Sequence, residues 1–236
     1  GGKVKSFDDT AAKKIAGVKR VVAVPSGVAV LADGVWAAKQ GREALKVEWD
    51  LGSLATLDSA KQGADYAALA VQPGTTARKE GDAAAAFAGA PTKIEGTFDL
   101  PYLAHAAMEP LNATAHVRAD GVEIWAPTQF QGVDTLNAAR VAGVTPDKVT
   151  IHTTLLGGGF GRKANPFSDF IVEAVEVSKA VGAPVRVVWL REDDMRGGYY
   201  RPRTWVTAKL GLDAAGKLVS WENQIVSQSI AMGTPL

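Results

Sequence analysis

Seven residues in the middle of the chain, Gly157-Gly158-Gly159-Phe160-Gly161-Arg162-Lys163, bring four glycines and two cations into one short stretch. Glycine tolerates positive φ and lets a ligand reach bare backbone N–H groups, while a helix start beyond it favours negative charge. Such a turn suits an anion or a phosphate-bearing cofactor. It suits tight strand-to-helix packing equally well, and the glycine count alone leaves the two readings level. A P-loop is excluded, because counting from Gly157 puts Arg162 and Ala164 where that motif needs glycine and a hydroxyl. The dinucleotide fingerprint matches at Gly157 and Gly159 and then meets Arg162, with no acidic ribose reader placed for it.

The elements that must hold this turn are legible on either side. Alternation of Val149, Ile151, Thr153 and Leu155 with Thr150, His152 and Thr154 predicts a strand over residues 148–156. Apolar residues at Phe167, Phe170, Ile171, Ala174, Val175 and Val181 predict a helix from near Pro166, with Asn165 as N-cap and Gly182 as the stop. Upstream, Thr128 and Gln131 form a capping-box pattern at the start of a helix that ends at Gly143. That puts Gln129 in the first turn, either solvated or turned toward a neighbouring site. His105 and Glu109 lie four apart in an irregular run, but no third ligand stands at metal-binding spacing, and His116 and His152 fall on separate strands. A structural or supporting role is expected for both. Arg162, Arg191, Arg196, Arg201 and Arg203 could gather round a diphosphate, or pair with Glu192, Asp193 and Asp194, which is the commoner outcome for such a mixture.

A chain of 236 residues that is 47% hydrophobic can build a sizeable core. Its 26 basic and 25 acidic residues give no argument for nucleic acid or an anionic membrane surface. No apolar run reaches spanning length, so no membrane span is expected, and the N-terminus lacks a signal-peptide pattern. Absence of cysteine removes disulfides, zinc-thiolate sites and iron–sulfur ligation from this chain, and leaves the compartment undecided. The fold class expected is α+β. Residues 1–52 read as a small α/β unit, with helices over 9–16 and 34–45, strands over 19–24, 27–32 and 46–49, Asp33 as a cap, and Trp36 and Trp49 in its core. Residues 53–91 read as a connecting segment with helices over 58–69 and 82–88. Residues 92–236 read as a second domain: a strand over 93–98, a hairpin turning at Asp120-Gly121, a strand over 185–190, a charged loop over 191–203, and a closing hairpin.

The glycine turn resembles the molybdopterin-binding turn in the large subunit of the xanthine dehydrogenase and aldehyde oxidoreductase family. Further pieces fall in that family's order: His105 with Met108-Glu109-Pro110, then Thr128-Gln129, then Arg191-Glu192-Asp193-Asp194-Met195 through Arg201-Pro202. Met108 to Ala113 and the Arg-Lys ending of the turn are most similar to the isoquinoline 1-oxidoreductase β-subunit branch. The resemblance implies a hammerhead-like domain at residues 1–52 and an incomplete first molybdopterin-binding domain at 92–236. It implies molybdopterin with molybdenum, in the cytosine dinucleotide form, and 2Fe–2S clusters on a small partner subunit. Gly158, Gly159, Phe160, Gly161 and Arg162 would bind the cofactor, and Gln129 would stand beside the metal's oxo ligand, with no direct metal ligand from the chain. The implied activity is hydroxylation of an N-heterocycle or an aldehyde with water as the oxygen source. The family's base, a glutamate in a Gly-x-Gly-Glu motif, does not occur in these residues. The chain is therefore expected to be part of a large subunit, needing the remainder of it, and inactive alone. Purine-oxidising members carry a carboxylate where this chain has Ala164, so a less polar substrate than xanthine is expected. Two other classes stay open: a non-redox phosphate- or dinucleotide-binding domain, and a structural assembly module.

Overall fold

The computed structural model describes residues 2–230, a mixture of helix and strand in two compact units. One unit is made of Gly1–Thr56 and Ala104–Tyr199, the other of Leu57–Leu103 and Tyr200–Leu236. In chain order the first unit begins with β1 (Lys3–Asp8), a 3₁₀ turn (Ala12–Lys14), β2 (Val18–Val24), β3 (Gly27–Ala32), α1 (Val35–Ala44) and β4 (Lys46–Asp50). The second unit follows with α2 (Ser59–Leu69), α3 (Ala83–Gly89) and β5 (Thr92–Leu100). The chain then returns to the first for β6 (Asn112–Arg118), β7 (Gly121–Ala126), α4 (Gln131–Ala142), β8 (Val149–Thr153), α5 (Asp169–Val181), β9 (Val185–Val188) and α6 (Arg191–Arg196). It ends in the second with β10 (Thr204–Leu212) and β11 (Leu218–Ser227).

The sheet that carries the glycine turn has the order β8-β7-β6-β9. Strands β6 and β7 form the expected hairpin, with Arg118 opposite Gly121, whereas β8 runs parallel to β7 and is reached through α4. A parallel neighbour needs such a crossover, since a tight turn can only reverse the chain. Alternate residues Ala113 and Ala115 of β6 and Val122, Ile124 and Ala126 of β7 turn inward and are buried. Helix α5 covers them with Phe170, Ile171, Ala174 and Val175, all at most 1% exposed. Alanines on β6 leave room for that helix to approach closely. Ser178, fully buried, accepts from Val117 N at 2.9 Å and donates to Ala183 O at 2.8 Å, so the end of α5 is tied to the sheet without an unpaired hydroxyl.

Several local expectations shift. Helix α5 starts at Asp169, not near Pro166, and its N-cap is Ser168 in the left-handed region, φ 52°. Asn165 instead accepts from Phe167 N at 2.7 Å, an Asx turn that delays the helix. The strand over 148–156 shortens to Val149–Thr153, and the N-terminal helix is one 3₁₀ turn. Helix α1 begins after Gly34 with no side-chain cap, because Asp33 pairs with Lys19 at 2.8 Å. Trp36 and Trp49 are exposed, not core, and the charged stretch after β9 contains α6 where a loop was expected. Asp193 accounts for that helix: its carboxylate accepts from Leu190 N at 2.8 Å and caps the first turn. Expected stops at Gly143 and Gly182 hold, both in the left-handed conformation that favours glycine.

The α5 packing has a direct test. Phe170→Ala empties a fully enclosed volume and should cost about 3–5 kcal/mol, read as a lowered urea midpoint with an unchanged m-value.

Candidate cofactor site

The turn after β8 is held by one buried cation. Lys163, 1% exposed, reaches back to Glu109 with Nζ to Oε2 at 2.7 Å. The same carboxylate oxygen accepts from Gly157 N at 2.9 Å, and Oε1 accepts from Asn112 Nδ2 at 3.1 Å. Glu109 N in turn donates to Gly157 O at 3.0 Å. One side chain therefore fastens the first and last residues of the seven-residue stretch. Partial burial pushes the Glu109 carboxyl up, but the hydrogen bonds from Lys163, Gly157 and Asn112 outweigh it and hold it below the usual carboxylate range.

Between those two anchors the backbone changes hand from Gly158 to Gly159 and again from Gly159 to Phe160. Gly158 and Gly161 lie at φ 92°, and Phe160, a residue with a Cβ, at φ 54°. A left-handed non-glycine residue costs on the order of 1 kcal/mol and persists only where its surroundings fix it. Here the short turns Arg162 N to Gly159 O, 2.9 Å, and Ala164 N to Gly161 O, 3.0 Å, do the fixing. Among the described residues, the N–H groups of Gly158, Gly159 and Phe160 meet no protein acceptor. Successive N–H groups on a backbone that alternates hand form a concave anion-binding nest. The chemistry of this donor set fits the oxygen atoms of a phosphate or a pterin.

Gln129 lies against the nest. Its backbone N–H donates to Lys163 O at 3.1 Å, and its Oε1 accepts from Gly161 N at 3.2 Å. A Cβ on Gly159 would run into the carboxamide, so that glycine is required for the close approach. With Oε1 engaged, Nε2 is left as a donor. Helix α4 starts at Gln131, two residues later than the capping-box pattern implied, with Phe130 as N-cap. Thr128 spends its hydroxyl differently: it accepts from Phe130 N at 3.0 Å and donates to the buried carboxylate of Asp134. Burial pushes Asp134 up, against hydrogen bonds from Ser168 and Thr128. Asn137 completes this polar knot by donating to Ser168 Oγ and Pro166 O, each at 3.0 Å.

Arg162, expected at the ligand, points inward. Its guanidinium is 4% exposed and pairs with both oxygens of Asp169 at 3.0 and 2.6 Å, between the rings of Trp189 and Tyr199 at 5.5 and 5.7 Å. A bidentate pair stacked on two aromatic faces is the geometry in which arginine anchors firmly. Of the other arginines, Arg191 pairs with Asp194 at 2.7 Å and Arg203 with Asp99 at 2.5 Å, while Arg201 donates to Pro202 O at 3.3 Å and to Pro101 O. Ion pairing thus takes several of the arginines that could have surrounded a diphosphate. His105 lies on the Arg162 side with a buried Nδ1 that meets no partner, and burial, then the Arg162 charge, push it down toward the neutral form. His152 bonds Glu123 at 2.9 Å and stacks on Trp125. No group of three or more His, Cys, Asp or Glu among the described residues could hold a metal ion.

The Glu109–Lys163 pair and the Asn137–Ser168 contact escaped sequence reasoning because their partners lie 54 and 31 positions apart, and Asp169 and Asp134, although within seven residues of Arg162 and Thr128, follow no spacing that marks a pair. Glu173 escaped it too; it accepts from Trp189 Nε1 at 2.7 Å and is pushed up to about 7, first by burial and then by Asp169 and Glu176.

Two predictions follow from these charges. Lys163→Met should leave Glu109 without its cation and cost about 3 kcal/mol, whereas Glu109→Gln should flatten the acid limb of the stability curve. The sign is fixed by the lowered folded-state value: stability from Glu109 is complete above the unfolded-chain value of 4.5 and is lost as pH falls through the lower folded one. Glu173 has the opposite sign, because its folded-state value is raised from 4.5 to about 7. Its neutral form favours folding below pH 4.5, and that advantage disappears as pH rises through 7. Glu173→Gln should therefore stabilise at pH 8 by on the order of 2 kcal/mol more than at pH 4, measured by urea unfolding at both.

Comparison with known proteins matches residues 69–234 to the model of the molybdopterin cofactor-binding domain. The chain is 34% identical over 206 residues to isoquinoline 1-oxidoreductase subunit beta of Brevundimonas diminuta, covering 82% of this chain and 26% of that protein. It is 32% identical over 234 residues to a membrane-bound aldehyde dehydrogenase [pyrroloquinoline-quinone] of Gluconacetobacter polyoxogenes, covering 95% and 30%. Quinoline 2-oxidoreductase from Pseudomonas putida 86 superposes with a TM-score of 0.67 at 19% identity, over 95% of this chain and 34% of that one, and so shares the fold. The chain thus spans between a quarter and a third of the length of these two curated relatives. With the family model covering more than half of its residues, the chain belongs to the molybdopterin cofactor-binding domain family.

Proposed function

We propose that this chain is the cofactor-holding portion of a molybdenum hydroxylase large subunit that oxidises an isoquinoline-like N-heterocycle or an aldehyde. The observation that carries the reading is the row of acceptor-free N–H groups at Gly158, Gly159 and Phe160 beside the Gln129 carboxamide, in a chain of the molybdopterin-binding family. In this reading those N–H groups hold oxygen atoms of the pterin and its phosphate. Gly161 gives its own N–H to Gln129 and so sets the amide, whose Nε2 would be available as a donor to the bound cofactor. Arg162 supports the turn from behind through Asp169. Molybdopterin with molybdenum, when bound, supplies the two-electron oxidation and the insertion of oxygen from water.

The finer features of the reading are a cytosine dinucleotide form of the cofactor, a small subunit with 2Fe–2S clusters, and a hammerhead-like domain at residues 1–52. They also include a connecting segment at 53–91 and a first molybdopterin-binding domain from residue 92, with the base supplied by the rest of the subunit. Ala164, beside Lys163, offers no charge to a polar purine edge, which favours a less polar ring or an aldehyde over xanthine. A phosphate- or dinucleotide-binding domain without redox chemistry would use the same nest, but the family match does not favour it.

The test is made on the full-length subunit with its partner. About one molybdenum per large subunit is expected, with isoquinoline or an aldehyde oxidised faster than xanthine. Gln129→Ala should keep the metal and lose about 10²-fold in kcat. A metal-free active enzyme, a quinone in place of molybdenum, or an unaffected Gln129→Ala enzyme would contradict the reading.

A further inference from the structure

The sheet of the second unit, ordered β11-β10-β5, has two unlike faces. Register places Ile94, Leu210 and Trp221 in one cross-strand row and Phe98, Val206 and Ile225 in another, on the same face. The row between them, Gly96, Ala208 and Asn223, adds no charge. Nine adjacent positions therefore carry no ionisable group. The charged residues of these strands fall on the reverse face, in the row Glu95, Lys209 and Glu222 and at Lys93 and Asp99 of β5. Yet the reverse face is the one that α3 covers, with Ser220 donating to Ala83 O at 2.7 Å and Gly211 pressed against Ala90. The uncharged face is open: Trp221 is 64% exposed, Ile225 59%, Phe98 54% and Ile94 49%.

A face meant for water would carry the charges and shed the aromatics. Large contiguous apolar surfaces on soluble units mark places where another polypeptide sits. β5 and β11 are also unpaired edges, which a free-standing sheet normally protects. We infer that this face is the docking surface for polypeptide of the same large subunit lying outside these 236 residues, which packs apolar side chains on the Trp221 and Ile225 rows. The relatives supply the length required, because the matched segment accounts for only 26% and 30% of two of them. The inference rests on the reading of the chain as part of such a subunit, and deepens it by naming the face that joins the parts.

These 236 residues contain no cysteine, so a thiol introduced among them is the only one that its own peptide carries in this stretch. Ile225→Cys and, on the opposite edge strand, Phe98→Cys are made in the full-length subunit. Maleimide labelling of the peptide carrying each is followed by mass spectrometry, native and in urea. Hydrogen exchange of the β5 and β11 amides in the unaltered subunit reads the same face without a substitution. The expected result is labelling about 100-fold slower in the native state, at every protein concentration and without the small subunit. Native labelling at the urea rate would overturn the inference. So would protection that disappears on dilution, which means a second copy, or protection that needs the iron–sulfur subunit or lipid vesicles. Each readout is burial, not turnover, so an inactive or metal-free subunit sinks the functional reading without imitating any of these results.

Discussion

A buried lysine with one carboxylate within reach constrains everything around the glycine turn. Removing an ammonium group from water costs several kcal/mol unless a counter-charge and further hydrogen bonds receive it, so Lys163 leaves the chain little choice but to bring Glu109 to it. Glu109 then has lone pairs to spare, and they take Gly157 N–H and Asn112 Nδ2. With both ends of the turn fixed, Gly161 and Arg162 still give their N–H groups to Gln129 Oε1 and Gly159 O, while those of Gly158, Gly159 and Phe160 find no protein acceptor. Phe160 lies in the left-handed conformation within that closure.

A second layer of polar contacts keeps the turn from drifting. Asp169 and the rings of Trp189 and Tyr199 hold Arg162, and the Thr128, Asp134, Ser168 and Asn137 group joins the segment carrying Gln129 to the start of α5. Charge inside the unit therefore holds shape, and the donors left without a protein partner on this turn are backbone N–H groups beside one neutral amide. Fixed dipoles aimed at a bound group need no reorganisation when charge on that group changes, which is the property a redox cofactor requires of its seat.

What the sequence disclosed was the local grammar. The period of α5, the Asp120-Gly121 hairpin, the two helices of residues 58–69 and 82–88 to within a residue, and the glycine stops of α4 and α5 are set within a few residues, and each is where the pattern put it. What it hid lay partly in competing local turns and partly in distant partners. Helix α5 starts late because Asn165 closes an Asx turn onto Phe167, with Ser168 also held by Asn137, 31 positions away, and α6 forms where Asp193 turns back to Leu190. Glu109 was legible as a candidate charge but not as the partner of Lys163, 54 positions on, since no periodicity records such a pairing. Trp36 and Trp49 read as core by residue type alone and lie exposed. Gln129 and the glycine turn were matched through the family resemblance, and their contact came only with the fold.

The account is tested most directly by a structure of the full-length subunit loaded with its cofactor. It predicts oxygen atoms of the bound group within about 3 Å of the Gly158, Gly159 and Phe160 nitrogens, and Gln129 Nε2 turned toward the metal. Finding those three N–H groups facing water or packed protein, with the cofactor seated elsewhere, would contradict it.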